Sequence, residues 1–139
     1  MRGFDRAGLF LGFGTMGAID GILFHQLLQW HHMVMTDGPP FWMFTDGLFH
    51  TFAVSMILLG AWLLWRSCSL QRVVSDRLMQ ASILAGMGLF NLIEGLIVHH
   101  LLELHHVKPG PNQLSWDLLY LASGAVLVAW GARLRRESL

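Results

Sequence analysis

Four apolar runs, each long enough to cross a lipid bilayer, constrain this chain more than any other feature in it. They extend from Leu9 to about Trp30, from about Phe44 to Trp65, from about Leu78 to Leu104 and from about Leu114 to Ala132. A bilayer core needs about 20 predominantly apolar residues in a helix. A backbone surrounded by lipid must also satisfy its polar groups internally. The runs therefore predict an all-α fold, a four-transmembrane-helix bundle, in a single integral membrane domain over residues 1–139. Composition agrees: 54% of residues are hydrophobic and 13% charged. Turns separate the runs. Thr36 to Pro40 reads TDGPP and Lys108 to Pro111 reads KPGP, where Gly and Pro together break a helix. Arg66 to Arg77 is a polar loop. A cleaved signal peptide competes for the first run, but Asp20 interrupts it and no A-x-A site follows, so it is expected to be retained.

Arginine placement sets an orientation. With the N-terminus cytoplasmic, Arg2, Arg6, Arg66, Arg72, Arg77, Arg133, Arg135 and Arg136 all lie inside and only Lys108 lies outside. Tryptophans favour the two interfaces. Trp30, Trp42 and Trp116 then fall at the outer boundary, and Trp62, Trp65 and Trp130 at the inner one. Formal net charge is zero, so no nucleic-acid partner is expected. The single Cys68 excludes an internal disulfide and a Cys-rich zinc site, and reads as a reduced bystander in a cytoplasmic loop.

The eight histidines are the anomaly in so apolar a chain. Asp20 to His32 reads DGILFHQLLQWHH, and Glu94 to His106 reads EGLIVHHLLELHH, aligned without a gap at an offset of 74 residues. Asp20 falls on Glu94, Gly21 on Gly95, His25 on His99, and His31-His32 on His105-His106. Upstream, Gly12 and Gly14 meet Gly86 and Gly88. The alignment predicts two parallel helical-hairpin repeats, one over about residues 9–65 and one over about 78–132. Such repeats relate by a pseudo-two-fold axis along the membrane normal, with sites expected at their interface. Gly8-xxx-Gly12 and Gly17-xxx-Gly21 mark a face on which another helix can approach closely.

Depth places all eight histidines in the outer half. At about 100° per residue, His25, Gln29 and His32 share one stripe of the first helix, matched by His99, Glu103 and His106 on the third. Asp20 and His31 share a second stripe, matched by Glu94 and His105. A continuous helix puts His25 and His32 roughly 10 Å apart, too far to share an ion. Asp46 and His50 are one turn apart, and Glu103-x-x-His106 has the spacing of carboxylate-bridged metal bundles.

Imidazole with carboxylate suits copper, zinc or iron. The candidate ligands are His25, His32, His50, His99 and His106, with Asp46 and Glu103. Asp20, His31, Glu94, His100, His105 and Asp117 are candidates for outer-shell partners or a proton path, since ligating histidines need a partner for the other ring nitrogen. Met33, Met35 and Met43 lie near the outer mouth, and thioethers favour Cu(I), which tilts the choice of metal slightly toward copper. Carboxylates as deep as Asp20 and Glu94 cost about 2.5–3.5 kcal/mol each when charged at a helix centre. Their roles divide between proton transfer and a hydrogen bond across helices.

The stretches GAIDGILFHQLLQWHHM, DGLFH and FNLIEGLIVHHLLELHHVKPG resemble a family of bacterial membrane proteins catalogued as domain of unknown function 2243. The resemblance covers about Gly12 to Trp130 and implies a four-helix protein of the bacterial inner (plasma) membrane. It implies no particular activity. The residues themselves favour a membrane metal-binding protein, with copper handling for an extracytoplasmic acceptor or donor as one form. The alternatives are a metal-dependent membrane oxidoreductase or hydrolase, a b-type haem protein with His25 and His99 as axial pair, and a small proton or ion transporter using Asp20 and Glu94. Transport by four short helices would call for a homo-oligomer. The HxxxH and HxxHH boxes of membrane di-iron hydroxylases are absent. So is a nucleotide fingerprint, because the GFG at Gly12 to Gly14 follows no strand.

Overall fold

The structure, a computed structural model, describes residues 5–70 and 75–137. Arg2 and Arg72 of the inner arginine set lie outside the described residues. Helix α1 (Arg6–Asp20) runs on as a π-helical segment, Gly21–Leu27. Helix α2 spans Pro39–Ser69, α3 spans Asp76–Glu94 with a second π-helical segment at Gly95–Leu101, and α4 spans Gln113–Arg136. All four, π segments included, are long and apolar enough to cross a membrane.

Local chemistry explains the starts. Asp5 caps α1 by accepting from the Ala7 and Gly8 amides at 2.8 and 3.2 Å. Its own amide donates to Ser82 Oγ of α3 at 2.9 Å, tying the two helices at the arginine end. Ser75 caps α3 through the Leu78 amide at 3.1 Å. Helix α2 begins five residues earlier than the expected Phe44, because Pro39 and Pro40 occupy its first turn. There the ring's fixed φ suits the helix and the missing N–H has no partner to lose.

Helices α1 and α3 pack together, with α2 against α1 and α4 against α3. The α1–α3 crossing depends on glycine. A Cβ on Gly12 would overlap the Ile83 carbonyl, and one on Gly86 would overlap the Leu9 carbonyl. Helices α2 and α4 show most of their side chains to the surroundings, including Leu58, Trp65, Leu119 and Val126, as lipid-facing helices do. The apolar core is small, centred on Phe49, Phe90, Val107 and Tyr120 with Phe13, Met16, Phe24, Trp30 and Met33 around it. The bulkiest fully buried side chains are instead polar: His25, His31, His99 and Asp117.

Candidate metal centre

The cluster forms where α1 and α3 stop being α-helical. In the π segments the hydrogen bonds reach one residue further, a form found mostly as short insertions at functional sites. The widened turn closes through Leu28 N to Leu23 O at 2.8 Å and Trp30 N to Phe24 O at 2.9 Å. Leu102 N to Ile97 O at 2.8 Å and Leu104 N to Val98 O at 3.0 Å close the other. Gln29 and Glu103 then take left-handed φ values of 49° and 48°. This reverses the chain, so the residues that follow return to the helix axis instead of continuing outward.

That reversal regroups the histidines. His31 and His105, which the helical stripes set apart from His25 and His99, come inside with them. The four rings form a bent row, in which His25 also lies 5.9 Å from His105 and His31 lies 6.3 Å from His99. Centroids are 4.6 Å apart for His25 and His31, 4.4 Å for His31 and His105, and 4.9 Å for His105 and His99. The middle pair is stacked at 10°. All four are buried, with exposures of 1%, 1%, 4% and 1% along the row.

Three of the rings are held through Nδ1, and His99 Nδ1 faces a carboxylate without bonding it. His31 Nδ1 donates to the Val107 carbonyl at 2.7 Å, and His105 Nδ1 donates to the Met33 carbonyl at 3.0 Å, so the two chain reversals brace each other. A carbonyl only accepts, which puts the proton of a neutral ring on Nδ1 and the lone pair on Nε2. His25 Nδ1 meets Asp46 Oδ1 at 2.9 Å, and His99 Nδ1 lies 3.5 Å from Asp117 Oδ1. The same two carboxylates take His32 Nδ1 at 2.7 Å and His106 Nδ1 at 2.6 Å on their other oxygens. They also accept the Met33 and Val107 amides at 2.8 and 2.9 Å.

The opposite nitrogens point at one another and at two acids. His25 Nε2 is 3.4 Å from Asp20 Oδ2. Glu94 Oε1 is 3.0 Å from His99 Nε2 and 3.1 Å from His105 Nε2. The His25 and His31 Nε2 atoms, both ring nitrogens of His99, Asp20 Oδ2 and Glu94 Oε2 are buried without a hydrogen-bond partner, the short His99–Glu94 approach being out of line for one. Tyr120 Oη donates to Asp20 Oδ1 at 3.3 Å. Burial, reinforced by the His105 and His25 rings, pushes His31 down to about 3, so it is neutral near pH 7. Two donor sets result, His25/His31/His105 and Glu94/His99/His105, each with its ligand atoms within 4.8 Å of one another.

The other candidates fall around this cluster. His32 and His106 sit at its rim, their side chains 20% and 27% exposed, each on the carboxylate that also meets the inner histidine. The expected separation of His25 and His32 held only for a continuous α-helix; here both meet Asp46. His50 does not join either set: its Nδ1 donates to the Asp46 carbonyl at 2.8 Å and its ring lies against Gly21. Glu103 and His100 are exposed, because the reversal and the π turn carry their side chains away from the axis. Met35 and Met43 are exposed near the rim, while Met33 packs on the apolar core. The pairing of Asp117 with Asp46 was not visible at the offset of 74, which puts Tyr120 opposite Asp46; the second turn is three residues shorter.

No curated protein and no solved structure matches the chain. The family described as "Predicted membrane protein (DUF2243)" matches residues 7–138, and the chain belongs to that family.

Proposed function

We propose that this membrane protein binds transition-metal ions through the Nε2 atoms of His25, His31, His99 and His105 and the carboxylate of Glu94. One observation carries the reading: the Nδ1 atoms of His25, His31 and His105 bond a carboxylate or a backbone carbonyl and that of His99 lies 3.5 Å from Asp117, while the Nε2 atoms converge. Metal-ligating histidines almost always donate their other ring nitrogen in this way, which fixes ring orientation and raises basicity. Asp46 and Asp117 are then orienting residues. His32 and His106 support them from the rim, and Met35 and Met43 lie where an incoming ion would first meet thioether sulfur. The nitrogen and carboxylate set suits Cu(II), Zn(II) or Fe(II). Copper is the first ion to test, because of those methionines. A bound ion would supply Lewis acidity or electron transfer at a site closed to bulk water.

The arginines and tryptophans support an arrangement with both termini cytoplasmic in a bacterial inner membrane. The cluster then lies in the outer half, within reach of an extracytoplasmic donor or acceptor. The aligned acid and histidine positions support a duplicated hairpin as its origin. A haem between His25 and His99 is disfavoured, because the His31 and His105 rings crowd both of them.

The test is metal content of the detergent-purified protein with its absorption spectrum, beside a His25→Ala/His99→Ala variant. Copper, iron or zinc near stoichiometry, falling in the variant, is the expected result. A protein that takes up none of the three on reconstitution and carries no haem would sink the reading.

A further inference from the structure

We infer that the cluster is built for two metal ions, one on each side of the stacked His31–His105 pair. The inference rests on the metal-binding reading and adds the number of ions, the ligands of each and the charge balance.

Reach argues first. Structural and catalytic metals hold imidazole nitrogen at about 2.0–2.1 Å, so two donors to one ion lie no more than about 4.2 Å apart. The four rings run in a bent row, His25 to His31 to His105 to His99, and His25 and His99 fall in different donor sets. His105 belongs to both sets but has one nitrogen to offer, since its Nδ1 is committed to the Met33 carbonyl. If His105 serves the ion beside Glu94, that ion has Glu94, His99 and His105. The other side keeps His25 and His31, with Asp20 Oδ2 3.4 Å from His25 Nε2. Each side then has two imidazoles and one carboxylate, a donor set that leaves coordination positions open.

Charge argues second, and independently. Asp20, Asp46, Glu94 and Asp117 are buried, with exposures of 3%, 6%, 6% and 0%. Among the described residues, the ion pairs they make are with histidines. Lys108 is turned away, its ammonium 4.6 Å above the Trp30 ring and 5.6 Å from that of Trp116. Uncompensated buried carboxylates are strongly unfavourable. With all four ionised, two divalent cations match the carboxylates, whereas one leaves half of that charge to be offset by protons. Protons on the imidazoles could do this, but a proton on Nε2 occupies the lone pair a metal needs. Metal should therefore bind with proton release.

The experiment is a Co²⁺ titration of the metal-free full chain in detergent, read by equilibrium dialysis with elemental analysis and by electron paramagnetic resonance. The expected result is two Co²⁺ per chain, with the signal per ion falling as the second equivalent binds, because neighbouring ions couple. Glu94→Gln and His25→Ala should each retain one ion, on opposite sides of the stacked pair. The coupling measurement needs no variant, so a variant that fails to fold does not decide the matter. One uncoupled Co²⁺ per chain, lost in both variants, overturns the two-ion inference and leaves the metal-binding reading standing. No uptake of Co²⁺, copper, zinc or iron overturns both.

Discussion

On the first side of the cluster Asp20 stands 3.4 Å from a single imidazole, His25, and its other oxygen takes the Tyr120 hydroxyl. On the second side Glu94 reaches two imidazoles, His99 and His105, at 3.0 and 3.1 Å. The frame around them is shared. Asp46 and Asp117 clasp the same three kinds of group, and His31 and His105 exchange bonds with each other's reversal. The two sides therefore differ mainly in the length of one acid side chain and in what faces it. Tyr120 lies against His99, 5.4 Å between ring centroids, while Phe49 lies against His25 at 5.3 Å and has no hydroxyl to offer. One methylene separates a carboxylate that can close on a metal from one set back and partly engaged.

The largest consequence is unequal affinity. Glu94→Gln should weaken the tightest metal-binding step by more than the roughly 10–100-fold typical of losing an outer-shell partner, and Asp20→Asn should stay within that range. Competition against a chromophoric chelator, with Zn²⁺ as the probe, measures both. Equal losses would mean that the extra methylene is irrelevant and that the comparison fails where it matters most.

Much of this was legible in the sequence, and the limits have a physical cause. Run length fixes four helices in any chain of this composition. Gly8 and Gly12 mark the face of α1 that meets α3 because close backbone approach leaves few other choices of residue. His25 and His99 lie within the π segments, before the chain leaves its helix. His31, His32, His105 and His106 needed the chain to leave its helix, and nothing in Gln29 or Glu103 announces a left-handed turn, which glycine or asparagine usually marks. The α period does not hold past Gly21 and Gly95, so it sets His31 and His105 on a stripe apart from His25 and His99, as outer-shell candidates. Asp117 stood out as an acid near a helix end, but its counterpart relation to Asp46 was hidden by the shorter second turn.

A second, smaller effect separates His31 from His105. Glu94 faces His105 Nε2, whereas His31 Nε2 has no hydrogen-bond partner. His31 is held to about 3 in the fold against 6.5 for a free imidazole. Between those values the unfolded chain binds the extra proton, so stability is fully present above about pH 6.5 and is lost as pH falls. The loss should reach roughly 2 kcal/mol between pH 6.5 and pH 5. Thermal unfolding of metal-free protein across that range reads it, and His31→Gln should flatten the slope. An unchanged slope in the variant would assign the proton to another group.

The smallest effect tests the part of the frame the two sides share. Gln29 and Glu103 are exposed and hold nearly the same left-handed φ, 49° and 48°. A left-handed residue with a Cβ costs about 1–2 kcal/mol, and glycine returns about 0.5–1 kcal/mol of that through the freedom it gives the unfolded chain. Gln29→Gly and Glu103→Gly should therefore each change stability by between zero and about 1.5 kcal/mol in the favourable direction. The informative quantity is their similarity. Because the reversals at these residues bring His31 and His105 inward, matching gains with metal affinity intact would mean the two turns are interchangeable scaffolding and the asymmetry begins below them, at Asp20 and Glu94. A gain at one site and a loss at the other would place the asymmetry in the backbone itself.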